Sequence, residues 1–356
     1  MGAPVSIKEV AAHAGVSVGT VSNVLNRPDI VAKATRERVH AAIKALGFVR
    51  NESARQLRAG RSRMIGLVVL DVANPFFTDI ALGVEEEANR SGLSVMLCNS
   101  ADQLPKQARH LELLEEQRVQ GILITPVAGT GEHLTRLQRS GTPVILVDSR
   151  STSGGLCAVA VDDVLGGDLA VSHLLKARHK RLAYVGGPLA IRQVSDRHDG
   201  AIRALRRAGL GAEHLTMIET PALNVAAGQQ AGSAIAKLAA GQRPTGVFCA
   251  NDLIALGLLQ EMTKHGIRVP EDIAIVGYDD IEFAAAAAVP LSSVRQPRRQ
   301  LGHTAARLLL EEAIGEDPHT HQQVMFEPEL VVRQSSAEHR GTQRVRRTRQ
   351  RQYESP

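Results

Sequence analysis

The chain has 356 residues, 44% of them apolar and only 3% aromatic with no Trp, so Ala, Val, Leu and Ile must pack two or three folding units. Its three Cys lie far apart in apolar runs, which excludes a disulfide framework and a CxxC metal knot and reads as buried small hydrophobes in a reducing compartment. The net charge of +5 is uneven: residues 1–63 carry 11 Lys/Arg against 4 Asp/Glu and residues 338–356 carry 6 against 2, which leaves −6 for the middle, a basic head on an acidic body that suits contact with a polyanion.

The opening MGAPVSIKEV has no basic segment leading into an apolar one, so no signal peptide is expected. No run reaches the roughly 18 apolar residues of a membrane span. The expectation is a soluble, cytoplasmic protein with no membrane partner.

Order begins at Ser6. Ser followed three residues later by Glu9 is a capping box, and Ile7, Val10, Ala11 and Ala14 recur at helical spacing. Gly15 should end this helix in the left-handed region. Ser17 should cap a second helix to about Leu25, with Thr20, Val21 and Val24 on one face. Two short helices joined by a Gly-containing turn form a helix-turn-helix unit. Pro28 breaks the chain, and a third helix is predicted over 34–46, with Val39, Ile43 and Leu46 inward and Gly47 as its stop.

These runs, IKEVAAHAGVSVGTVSNVLNRP, TRERVHAAIKALGF and NESARQLRAGRS, resemble the head of the lactose-repressor (LacI/GalR) family of bacterial regulators. The resemblance implies that the second helix enters the major groove of duplex DNA, with Val18, Gly19 and Asn23 at its base-reading positions. Asn can pair with adenine through two hydrogen bonds, and Val can meet a thymine methyl. Thr20 and Ser22 are hydroxyls suited to phosphate contact, and Ser17 at the helix cap joins the DNA-binding set. Gly19 departs from the Ala common at its position.

Residues 50–63 form a hinge and linker after the head at 1–49. Asn51 to Arg58 is too short to be a helix alone in water. The resemblance implies that it folds on DNA beside its twin from a second subunit, with Leu57 as a minor-groove wedge and Ala54 one turn earlier on the same face. Asn51 is its N-cap and Arg55 serves phosphates. Arg50 stands where the family usually has Pro. On spacing alone, a basic linker also fits.

From Met64 the pattern alternates between short apolar runs (IGLVVLD, LSVMLCN, GILITP, PVILVD) and amphipathic stretches of helical length. It repeats in RLAYVGG, HLTMIET, TGVFCAN and DIAIVGYDD. Buried parallel strands alternating with helices predict doubly wound sheets. Two sets predict two lobes, about 64–160 and 164–290, with a later segment crossing back and VMFEPELVVR as a last strand. The whole is a small all-α helix-turn-helix head on an α/β periplasmic-binding-protein-like body of two doubly wound parallel-sheet lobes, the body spanning 64–338. The tail 339–356 has almost no apolar content and should be disordered.

Ligands in such sheets sit at the carboxyl ends of strands, here at Asp71, Asn74, Asp148, Asn251, Asp252, Asp279 and Asp280. Carboxylates and amides suit a polyhydroxylated ligand, and Phe76 and Phe77 suit sugar stacking, although two core Phe at a helix start also fit. ANPFF, SDRHDG, FCANDLIALG and IAIVGYDD extend the resemblance to about residues 6–335. It implies that Phe77, Arg197, Asn251, Asp252 and Asp279 contact an effector, with Arg197 as the gripping fork and Gln193 a further candidate.

The reading is a repressor, not an enzyme, that binds a pseudo-palindromic operator as a homodimer and is switched by a small effector, a sugar or glycoside before a nucleobase. A secreted solute-binding protein and a sugar-metabolising enzyme are the alternatives. The DNA head and the lack of a signal peptide oppose the first; the lack of a P-loop, GxSxG or HExxH opposes the second. No cofactor and no metal are expected, since the histidines read as scattered, with no pair at metal-site spacing.

Overall fold

The computed structural model describes residues 5–48, 62–151, 154–315 and 319–337. It divides into two compact units between Ser62 and Arg63. The expected hinge residues Asn51, Ala54, Arg55 and Leu57, and the tail, lie outside the described residues.

The first unit holds helices α1 (Ile7–Ala14), α2 (Val18–Asn26) and α3 (Lys33–Leu46). Both arms of the Ser6–Glu9 capping box are present, and Gly15 closes α1 at φ +63°. The Ser17 side chain accepts the Thr20 N–H at the start of α2. Val10, Ala11, Ala14, Val21, Val24, Val39 and Ala42 form the core. In α3 it is Val39 and Ala42 that are fully buried, whereas Ile43 and Leu46 are only half-buried at its edge. This core is small, and its stability is correspondingly marginal.

The second unit is two lobes, each built on a six-stranded sheet. Lobe 1 orders its strands β11-β5-β4-β3-β1-β2, where β1 is Met64–Val69, β2 Ser94–Asn99, β3 Ile122–Ile124, β4 Val144–Val147, β5 Cys157–Val161 and β11 Gln323–Phe326. All its pairs are parallel. Helices α4 (Pro75–Arg90), α5 (Leu104–Glu116), α6 (Gly131–Arg139) and α12 (Arg298–Ile314) cover it. Parallel strands buried on both faces need apolar side chains throughout, which is why IGLVV and VILV run without alternation.

Lobe 2 orders β12-β10-β9-β8-β6-β7, from β6 (Leu182–Gly186), β7 (Leu215–Glu219), β8 (Gly246–Cys249), β9 (Ala274–Asp279), β10 (Ser292–Arg295) and β12 (Glu329–Val331). Only the β10–β12 pair is antiparallel. Its helices are α7 (Asp163–Lys176), α8 (Arg192–Arg207), α9 (Val225–Lys237), α10 (Asp252–Lys264) and α11 (Glu282–Ala286).

One expectation is corrected here. VMFEPELVVR is not one strand: Pro328 falls between β11, which pairs with β5 in lobe 1, and β12, which pairs with β10 in lobe 2. A proline cannot donate to a ladder, and the chain changes sheet there. The segment after Pro290 does cross back to lobe 1 as expected, by way of lobe 2. Its first residues form β10 of lobe 2, and only α12 returns to lobe 1.

Helices α7 and α8 approach closely because both carry Gly at the contact. A Cβ on Gly167 would stand 1.9 Å from the carbonyl oxygen of Arg197, and one on Gly200 would stand 2.1 Å from that of Val164. This approach sets Arg197 beside the first turn of α7.

Candidate functional site

On α2, Val18, Gly19 and Asn23 are exposed, while Thr20 and Ser22 are half-buried. Val18 is 42% exposed, although Ile30 in the same unit is more so at 66%. A Cβ on Gly19 would meet only the Ser17 hydroxyl, at 3.7 Å, so packing does not demand glycine there. The Ser17 Oγ accepts the Thr20 N–H at 3.0 Å and lies 2.9 Å from the Thr20 hydroxyl. The Ser22 carbonyl accepts an N–H from Asn26. The helix therefore exposes an apolar side chain at Val18 and an amide at Asn23, which suit contact with base edges.

In the second unit a cavity of about 430 Å³ opens between the lobes. Lobe 1 lines it with Asp71, Asn74, Phe76, Phe77, Asp102 and Asp148; lobe 2 brings Gln193, Val194, Arg197, Leu223, Asn251 and Asp279. A neighbouring cleft of about 580 Å³ shares Leu70, Asp102, Ile191 and Gln193 with it, and extends along Pro126, Thr135 and Arg150. The smaller cavity holds the buried charges and is the stronger candidate for a ligand site.

Arg197 is the centre of this cavity's polar wall. Its Nε donates to Asp163 Oδ1 at 2.8 Å and its terminal nitrogen to the Ala250 carbonyl at 2.7 Å. The guanidinium carbon stands 3.8 Å from the centre of the Tyr278 ring. Burial works against its charge, but Asp163, Tyr278, Asp279 and Asp148 together hold it firmly protonated. Asp163 and Tyr278 are thus positioning residues that sequence reasoning missed. A buried Asp in the first turn of α7, one approach away from a buried Arg, is visible only once the helices are packed.

Asp279 ends β9 at φ +100°. Burial pushes its carboxyl up to about 6, against the opposing pull of Arg197, Gln296, Arg298 and Asn74. Gln296 donates to its Oδ1 at 2.7 Å. Burial, then repulsion from Asp163, also raises the Asp148 carboxyl, while Arg197 pulls it down and Asp279 adds to the rise. Asp148 Oδ1 is buried without a hydrogen-bond partner, a free group on the cavity wall. Phe76 and Phe77 meet edge to face at 5.0 Å and are both buried, so they serve the core and the cavity together.

The expected effector residues do not all converge. Phe76, Phe77, Asp148, Gln193, Arg197, Asn251 and Asp279 line the cavity, but Asp252 does not. Its Oδ2 accepts the Ile281 N–H and its Oδ1 the Ser293 hydroxyl, so it ties α10 to β10 beneath the site. Asn251 caps α10 through Ile254 and donates to the Leu223 carbonyl, which leaves it little free capacity. Asp280, also named at a strand end, is consumed by Arg295 and Arg333. Asp102 is the lining carboxylate that the sequence did not single out; it follows β2 at φ +53°.

The reading of the histidines as scattered does not hold. His319 and His321, two apart in sequence, stand with Glu312 around Cys157. This group lies on lobe 1, apart from the cavity lining. Among the described residues, no helix is long and apolar enough to cross a membrane.

Residues 6–51 match the profile of "Bacterial regulatory proteins, lacI family", and residues 171–336 that of "Periplasmic binding protein-like domain". The chain is 36% identical over 331 residues to the HTH-type transcriptional repressor PurR of Vibrio atlanticus (strain LGP32), spanning 92% of this chain and 97% of that protein. Among solved structures it is similar to the lac repressor dimer bound to operator and the anti-inducer ONPF, with a TM-score of 0.81 and 28% identity over 94% of this chain and 99% of that one. It is also similar to the transcriptional regulator CelR in complex with cellobiose, with a TM-score of 0.68 and 31% identity over 93% and 99% of the two chains.

Proposed function

This chain belongs to the lacI family of bacterial regulatory proteins, DNA-binding transcriptional repressors with a ligand-binding body, and on that premise we propose that its effector is a sugar or glycoside held between the lobes. The observation that carries this is the cavity wall: Asp148, Gln193, Arg197 and Asp279 line it together with Phe76 and Phe77. Carboxylates, an amide and a guanidinium hold several hydroxyls at once, and the ring offers an apolar face for the sugar's C–H groups. The similarity to a regulator complexed with cellobiose supports the same class.

A nucleobase is the second reading, favoured by similarity to repressors named PurR over nearly the whole chain. A planar base is best held between two flat faces. Across the cavity from Phe76 and Phe77, lobe 2 offers Pro188, Ile191, Val194, Pro221, Ala222 and Leu223, none of them aromatic. That wall favours the sugar.

The protein acts in the bacterial cytoplasm as a homodimer on a pseudo-palindromic operator, since one short helix reads few bases and two copies supply affinity. Ser17, Val18, Gly19, Thr20, Ser22 and Asn23 meet the major groove. The resemblance assigns Asn51, Ala54, Arg55 and Leu57 to the minor-groove hinge. The effector shifts the population of lobe arrangements and with it the operator affinity. Selection of randomised duplex DNA by the purified protein at fixed salt, with and without a panel of sugars and nucleobases, tests the whole reading. Recovery of a palindrome whose retention changes with one sugar is expected. Response to a nucleobase alone would replace the sugar, and no enriched site would remove the operator reading.

A further inference from the structure

The geometry points to a structural divalent-metal site of the zinc class on lobe 1, formed by Cys157, Glu312, His319 and His321. The four come from three places in the chain. Cys157 opens β5, Glu312 lies in the last turn of α12, and the two histidines lead into β11. Each offers one ligand atom, and all four atoms lie within 4.8 Å of one another.

Zinc held by sulfur, nitrogen and oxygen at about 2.0–2.3 Å in a tetrahedron places neighbouring ligand atoms roughly 3.3–3.8 Å apart. The Cys157 Sγ stands 3.0 Å from His319 Nε2 and 3.8 Å from His321 Nδ1. The Glu312 Oε2 stands 3.7 Å from His319 Nε2 and 3.8 Å from His321 Nδ1. Four of the six edges of a tetrahedron are therefore within roughly 0.6 Å of their bonded lengths.

Two further observations are consistent with a cation in this space. Glu312 Oε2 is buried with no hydrogen-bond partner, which is costly for a carboxylate unless a positive charge meets it. The Gln322 backbone N–H points at the Cys157 Sγ at 3.2 Å, the outer hydrogen bond that steadies a thiolate ligand. One thiolate, two imidazoles and one carboxylate select zinc-like ions over magnesium or calcium, which take oxygen. Four protein ligands leave no open position, so the ion is structural. It would tie the last turn of α12 to the residues that lead into β11, and so secure the edge strand of lobe 1 against β5.

The test uses the full chain stripped of metal by chelation and titrated with Co²⁺ alone, then Zn²⁺. Expected are one equivalent of cobalt with thiolate-to-cobalt charge-transfer absorption, its displacement by zinc, and a zinc-dependent rise in Tm. The double variant His319→Ala/His321→Ala replaces half-buried or exposed side chains and should keep its circular dichroism while binding at least about 100-fold more weakly. Cys157→Ser should lose the charge-transfer band. No cobalt bound by the wild-type chain, or cobalt bound without that band, overturns the site, as does an unchanged spectrum in Cys157→Ser.

Discussion

Gln193, in the first turn of α8, donates its amide N–H to Asp148 Oδ2 at 2.9 Å, joining lobe 2 to lobe 1 across the ligand cavity. The same amide nitrogen also reaches the Asp148 carbonyl, so one side chain grips both the backbone and the carboxyl at the end of β4. These contacts latch the two lobes together in the arrangement the structure shows. Gln193→Ala removes them without emptying a core position, because Gln193 is only half-buried. A lost hydrogen bond of this kind is worth about 0.5–1.5 kcal/mol, or roughly 3–10-fold in effector affinity, with little change in Tm. Calorimetric titration of the effector checks it. Equal or tighter binding would mean that the ligand displaces the latch.

Arg197 is a structural residue as well as a proposed ligand contact, and its substitution should show it. The side chain is buried beside Asp163 and Asp279, and Asp148 also feels its charge. Arg197→Ala leaves these carboxyls without their cation, and breaking a buried pair this way costs about 3–5 kcal/mol. Thermal unfolding should therefore fall together with effector binding. Arg197→Lys keeps the charge but loses the two-pronged grip and the stacking on Tyr278, so it should recover most of the stability while binding stays weak. A full-stability Arg197→Ala chain would show that the pair is not structural.

How far the sequence reached follows from what kind of signal each feature leaves. The head was legible in detail because its caps are local: Ser6 with Glu9, Gly15, Ser17 and Gly47 each act within a few residues. Most strands of the body were legible as apolar runs between turns. The split of β11 from β12 was not, since residues on either side of one proline belong to different sheets. At the cavity, strand-end position found Asp148 and Asp279 but could not separate them from Asp252 and Asp280. Those two differ only in what stands nearby, Ser293 for one and Arg295 with Arg333 for the other. The meeting of His319 and His321 with Cys157 spans more than 160 residues and leaves no local pattern beyond an HxH.

The raised carboxyl of Asp279 gives the body a pH dependence whose sign is fixed. Its pKa is about 6 in the folded chain against 3.8 for the ordinary group, so between those values the folded state holds the extra proton. Stability from this group is full below pH ~4 and is lost as pH rises towards and past 6, by at most about 3 kcal/mol. Asp148 and Asp252, also raised, act in the same direction. Asp279→Asn removes the titration. Unfolding free energies of wild type and variant, taken from pH 4 to 7, should diverge in the variant's favour as pH rises. Parallel curves would place the Asp279 carboxyl at its ordinary value.

Gly19 separates stability from recognition on α2. Glycine inside a helix costs about 1 kcal/mol relative to Ala, and a Cβ here would enter open space with only the Ser17 hydroxyl at 3.7 Å. Nothing in the packing of the head, whose core on this helix is Val21 and Val24, repays that cost. Gly19→Ala should therefore raise the melting temperature of the head. If α2 lies in the major groove with its first turn at the bases, the added methyl meets the duplex instead of the protein. Operator affinity should then fall, or the preferred base at that position should change, while effector affinity stays constant. Binding of both chains to a selected operator and to its single-base variants reads this directly. A more stable head with the same affinity and the same base preferences would take Gly19 out of the DNA interface and leave Val18 and Asn23 to carry the reading.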